Sequence, residues 1–199
     1  ALELHQLGPS DPVYLSSQVA QTPDQYKSSK TPILGNAWYH GVLTWDSSTV
    51  YLYLNGLLEE SFSKSSTISY DEEAPAVIGM GPAYDGGFDL ANGDIDDVRL
   101  YSRTLSAEEI LLLYGLTKPV TLQTGLVGYW RLDETTGIVP IEDSSGQGND
   151  GVWSDGSGDA VDEESVTAMV GTGLEFDGVD DEIALGNSAD LQIYHDGST

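Results

Sequence analysis

Cysteine is absent from this 199-residue sequence. That excludes disulfides, zinc–thiolate centres and thiol catalysis, and it leaves the compartment open. Basic residues are scarce: 7 Lys and Arg stand against 33 Asp and Glu, for a net charge of −26. Nucleic acid, which is held by clustered Lys and Arg, is excluded as a partner. An anionic membrane surface is disfavoured for the same reason. No apolar run approaches the ~18 residues of a spanning helix, and no signal peptide is present in this stretch. The histidines, His5, His40 and His195, have no companions at metal-ligand spacing, so a packed or hydrogen-bonded role is the default for His40. There is no Ser-His-Asp order that stands out, no phosphate-cradling glycine loop before a helix and no basic–aromatic stripe.

What remains is acidic, aromatic and rich in turn residues. The acidic excess as a whole reads as solubility of an extracellular or salt-adapted protein, while local carboxylate clusters suit a hard cation such as calcium. Four Trp and eleven Tyr supply core, and 23 Gly with many Ser, Thr and Asp fit a turn-rich all-β chain. The length allows one sandwich domain or two small ones. Residues 93–114 read as a strand around Ile95–Tyr101, a short turn and a helix. Ser106 with Glu109 makes a capping box, Ile110, Leu111, Leu113 and Tyr114 give an apolar face, and Gly115 stops the helix. Upstream, Trp38-Tyr39-His40 leads to the alternating strand Val50–Leu54, closed by Asn55-Gly56. A turn falls at Asp46-Ser47-Ser48. Ala1–Leu7 and Pro12–Leu15 are candidate short strands, 16–32 reads as a long loop, 116–124 as a linker and 154–165 as a loop.

These elements together resemble the C-terminal half of a laminin-G-like domain, in the concanavalin-A-like jelly-roll superfamily that includes pentraxins and legume lectins. The carriers are the Trp-Tyr-His strand, the Tyr53-Leu54-Asn55-Gly56 hairpin, Gly93-Asp94-Ile95-Asp96-Asp97-Val98-Arg99-Leu100-Tyr101 and the Leu105-Ser106-x-x-Glu109-Ile110 helix start. The other half follows instead of preceding. Gly125–Glu134 resembles the family's first strand, Asp143-Ser144-Ser145-Gly146 with Asn149-Asp150-Gly151 the loop after it, and Gly173–Ile183 the next hairpin. The resemblance implies an antiparallel β-sandwich with its halves in permuted order. A single circularly permuted domain over 1–199 is expected, with 1–118 the C-terminal-type half and 119–199 the N-terminal-type half. The alternative is two partial domains of a tandem array. Ala1 in place of Met, and the Asp-Gly-Ser near the end, favour a piece of a longer protein. The run 185–198 resembles a strand–turn motif of phage tail-fibre and related marine viral proteins.

The resemblance also implies where a ligand sits. In pentraxins the hairpin matching Asp177–Ile183 supplies a pair that holds calcium, which makes Asp180 and Asp181 metal candidates, with Asp85 or Asp89 from the facing loop. Six to eight oxygens suit that ion; solvated turns are the plainer reading. Asp94-Ile95-Asp96-Asp97 is similar to the catalytic strand of jelly-roll glycoside hydrolases, which need two carboxyls ~5–5.5 Å apart. Period-two alternation sets Asp94 and Asp96 on one face and Asp97 on the other. With no Glu there, the segment matches the non-catalytic pattern better. The loop Asp143–Asp150 reads as turn chemistry. Tyr84, Trp153 and Asn149 are the ligand-binding candidates, whereas Trp38 and Trp130 belong to the core. The resulting expectation is a non-catalytic module recognising a glycan or glycoprotein on a secreted, extracellular or virion-surface protein, with calcium as cofactor and a possible oligomer or tandem array. A structural fibre or appendage module is the first alternative, and a glycoside hydrolase or lyase the second.

Overall fold

The computed structural model describes residues 2–5, 11–18, 26–63, 76–82, 88–115, 122–134, 140–154, 165–167, 172–177 and 182–185. These are mostly antiparallel β-strands with one short helix, as the sandwich expectation requires. Contacts divide the chain into two compact units, each assembled from separated stretches of sequence.

The first unit comprises residues 1–69, 103–116 and 197–199. Strands β1 (Leu2–His5), β2 (Val13–Gln18) and β3 (Tyr26–Ile33) form one sheet. Strands β4 (Gly41–Trp45), β5 (Thr49–Leu54) and β6 (Leu57–Ser63) form another. Leu15 of β2 packs with Leu52 and Leu54 of β5, and Ile33, Tyr39 and Leu43 close round them. The β5–β6 turn is Asn55-Gly56, both at positive φ (51° and 76°), as a two-residue hairpin of primed type demands. At the β4–β5 turn, Asp46 Oδ1 accepts from the amides of Ser48 and Thr49, both at 2.7 Å. Those bonds, with the Tyr51 hydroxyl on Oδ2, bring the Asp46 carboxyl down to about 2.

The expected long loop over 16–32 is corrected by β2 and β3, whose serines conceal the strand pattern. Ser16, Ser17 and Ser29 are buried. The register shifts between Tyr14 and Ser16, so Leu15, paired with Leu4 of β1, lacks a ladder partner in β3. Its amide donates to Ser29 Oγ at 3.2 Å instead, and Ser16 Oγ bonds Ser28 Oγ at 2.8 Å. The opposite side of β3 is held by Glu59, which accepts from the amides of Lys30 and Thr31 at 2.8 and 2.9 Å.

Helix α1 (Ala107–Tyr114) carries the expected capping box, with Ser106 as N-cap and Glu109 returning the bond. Arg103 grips the Glu109 carboxylate with two nitrogens, at 2.8 and 2.7 Å, and holds it below the usual glutamate range. Ile110 and Leu113 are buried, but Leu111 and Tyr114 are largely exposed. The apolar stripe is therefore narrower than the pattern suggested.

The second unit comprises residues 70–102 and 117–196. Its strands are β7 (Ala76–Ile78), β8 (Met80–Pro82), β9 (Phe88–Leu90), β10 (Asn92–Ile95), β11 (Val98–Tyr101), β12 (Leu126–Trp130), β13 (Gly151–Ser154), β14 (Ser165–Thr167), β15 (Thr172–Asp177) and β16 (Glu182–Leu185). They pair in the orders β13-β16-β7, β10-β15-β14, β11-β12 and β8-β9. The core is Trp130, Leu132, Ile141, Leu174, Phe176, Ile183 and Leu185.

Two expectations about this unit fail and one holds. The single strand around Ile95–Tyr101 is two strands, broken where Asp97 takes φ 56°, a left-handed turn that ends the alternation. Gly173–Ile183 is not a hairpin. Its two strands lie in different sheets, because β15 is flanked by β10 and β14, and β16 by β13 and β7. The strand at Val127–Leu132 does lie beside the 95–101 segment, since β12 pairs with β11 and sets Trp130 opposite Val98 and Tyr129 opposite Arg99.

Candidate functional site

The densest polar constellation among the described residues surrounds β12, where Gly128-Tyr129-Trp130 is buried along its length. Gly128 is required there because the Trp130 indole folds back over it: a Cβ would lie 2.6 Å from Cζ2 and 2.8 Å from Cζ3. This fold-back places the indole N–H against the Asn149 carbonyl at 2.8 Å, joining the strand to the 143–150 loop.

Asp143, 6% exposed, organises that loop. Its Oδ1 accepts from the amides of Tyr129 and Ser145, both at 2.9 Å. Its Oδ2 accepts from Ser145 Oγ at 2.8 Å and the Asn149 amide at 2.9 Å. Burial pushes the carboxyl up, yet the donors from Ser145, Tyr129 and Asn149 outweigh it, so Asp143 titrates below the ordinary aspartate range. Asp143 in turn donates its amide to Asp150 Oδ1 at 2.9 Å. The Asn149 side chain donates to the Val127 carbonyl at 2.9 Å. The loop thus offers Ser144, Gln147 and Asp150 to solvent from a base fixed by hydrogen bonds.

The second cluster is Asp97–Tyr129–Arg99. The Tyr129 hydroxyl donates to Asp97 Oδ1 at 2.6 Å. Arg99 stacks its guanidinium 4.5 Å above the Tyr129 ring, reaches the hydroxyl at 3.3 Å and pairs with Asp97 at 3.4 Å. Burial, then the bond to Asp97, pushes the phenol up to about 12. It is therefore a permanent donor at neutral pH. The left-handed turn at Asp97 is what lets its carboxylate meet the tyrosine.

The predicted residues fare as follows. Tyr84, Asp85, Asp180 and Asp181 lie outside the described residues, as do 186–198 of the tail-fibre-like run. Asp89 is in β9, opposite Gly81. Asn149 is engaged by its own loop and by β12, its side chain held on the Val127 carbonyl. Trp153 is half-buried in β13, its ring 5.1 Å from Phe176, and its indole nitrogen is buried without a partner. Trp130 is fully buried, whereas Trp38 is only half-buried. Asp94 is exposed, opposite Glu175 in register, and Asp97 is occupied by Tyr129 and Arg99. Among the described residues no three His, Asp or Glu are grouped as a metal requires.

The sequence reading missed the roles of Asp97, Arg99, Tyr129 and Asp143. One signal was present: with seven basic residues in the whole chain, an arginine inside an apolar strand implies a nearby counter-charge. Nothing in the pattern Asp143–Asp150 separated a carboxylate buried as a hub from one exposed in a turn.

Residues 3–111, more than half the chain, match the laminin-G-type family model described as the concanavalin A-like lectin/glucanases superfamily. Comparison with curated proteins and with solved structures gave no match.

Proposed function

The chain belongs to the concanavalin A-like lectin/glucanases superfamily, and from that membership we propose that it is a non-catalytic recognition module for a carbohydrate or glycoprotein. The observation that carries the reading is the commitment of Asp97. A glycoside hydrolase of this superfamily works with a pair of carboxyls open to one sugar. Here the strand that offers carboxylates breaks at Asp97, whose oxygen is held by Tyr129 and Arg99. Asp94 stands exposed in β10, and Asp96, its same-face partner by alternation, is half-buried at the break between β10 and β11. The 143–150 loop supports binding instead, since polar groups held rigidly at a strand end make contacts at low ordering cost.

The module fits a secreted or virion-surface protein, and the high negative charge suits such a setting. The same proposal includes calcium at Asp180 and Asp181 with Asp85 or Asp89, motivated by the carboxylate excess of 33 acidic residues and the ion's preference for several carboxylate oxygens.

A glycan array run with and without chelator tests the reading. Binding that Gln147→Ala or Ser144→Ala weakens at unchanged melting temperature supports it. Binding that chelator abolishes, together with heat of calcium binding lost in Asp181→Asn, supports the ion. Silence on the array favours a structural fibre or appendage module, and turnover of a polysaccharide would make it a hydrolase or lyase.

A further inference from the structure

The family match ends at residue 111, yet three strands inside it find their partners beyond it. β7 pairs with β16, β10 with β15 and β11 with β12. Among the described residues none of β7, β10 and β11 pairs with another strand of the match.

The packing is divided in the same way. Every buried member of the core cluster, Trp130, Leu132, Ile141, Leu174, Phe176, Ile183 and Leu185, comes from after the helix. The matched segment contributes only partly buried residues around it, among them Ile78, Ile95, Val98 and Leu100. Polar contacts cross between the same two pieces, from Tyr129 to Asp97 and from the Ser102 amide to the Gly125 carbonyl at 2.7 Å.

We infer that residues 122–185 are a strand donor, and that the edges of β7, β10 and β11 are a docking surface for it that does not depend on the peptide link. The physical argument is one of proportion. The donor brings seven buried apolar side chains, five of them on strands, and three ladders of hydrogen bonds. Apolar burial on this scale dominates association, whereas a short link contributes only an effective concentration in the millimolar range. The edges recognise strands and not the link, so a donor from a second copy of the chain fits the same surface.

The test uses the full chain with a protease site, flanked by Gly-Ser, inserted between Lys118 and Pro119 and cut after folding. The two pieces are expected to elute together in native buffer. Their melting temperature should depend on protein concentration more steeply than the uncut chain's. Cut protein with a tagged donor, unfolded and refolded with an excess of untagged cut protein, should exchange its donor. Phe176→Asp, introduced into the same cut protein, should make the pieces part. Pieces that separate on cutting, with the first retaining its β-type circular dichroism, would overturn the inference. So would co-elution that Phe176→Asp leaves intact. No ligand is involved, so the outcome is independent of the glycan and calcium experiments.

Discussion

Replacing Asp143 by Asn tests whether one buried carboxylate sets the 143–150 loop. The carboxylate accepts four bonds, two on each oxygen. An amide keeps one accepting oxygen. If that oxygen stays on Tyr129 and Ser145, the new NH2 faces the Asn149 amide. Ser145 Oγ can rotate to accept, but the Asn149 N–H cannot, so one donor is stranded. A stranded buried donor costs ~1–3 kcal/mol. Asp143→Ala strands three amides and should cost more, ~2–5 kcal/mol. With an m-value of ~1–3 kcal/mol/M in urea, the Asn variant should lower the midpoint by roughly 1 M, read by tryptophan fluorescence, since Trp130 reports on this loop. The pH series carries the sharper test. The folded pKa of Asp143 is depressed. Its contribution is therefore present above the unfolded value of ~3.9 and is lost as pH falls through the folded pKa. The gap between wild type and Asp143→Asn should be constant from about pH 5 to pH 8 and shrink below about pH 4. Equal stability at neutral pH, or a gap that persists undiminished in strong acid, would refute the reasoning.

Gly128→Ala puts a methyl into the Trp130 ring and should cost ~1–3 kcal/mol by overpacking, seen as a lower urea midpoint. Ser106→Ala removes the helix cap and should cost ~1 kcal/mol; an unchanged melting midpoint would show that the Arg103–Glu109 pair holds the helix start without it. Tyr129, raised to about 12, should resist ionisation in an ultraviolet titration while ordinary tyrosines titrate near 10. Because its folded pKa lies above the unfolded one, its contribution is complete below about pH 10 and lost as pH rises toward about 12. Tyr129→Phe should abolish that alkaline loss.

Legibility followed chemistry that acts locally. Asn55-Gly56 and Ser106–Glu109 each encode their structure within four residues, and both are as read. The adjacency of β11 and β12 was legible because the two strand motifs carry their own signatures. The second half of β2 and all of β3 were not, because buried serines bonded to one another and to stray amides resemble a polar loop in composition. The break at Asp97 was hidden for a different reason. Asp94-Ile95-Asp96 has strand alternation, and only the distant Tyr129 and Arg99 make a left-handed aspartate worthwhile. Likewise Asp143 differs from an exposed turn residue by partners at 129 and 149, one of them fourteen positions upstream.

The pairing of Ile78 with Ile183 also sets a schedule for synthesis. Chains emerge at roughly 5–20 residues per second, so β7 leaves the ribosome on the order of 5–20 s before its partner exists. During that interval the apolar side of β7 has no strand to lie against, the circumstance in which nascent chains stick to their neighbours. Temporary exposure of this kind gives the acidic surplus a role in the unfinished protein: chains that repel one another at a distance gain time for the missing strands to arrive.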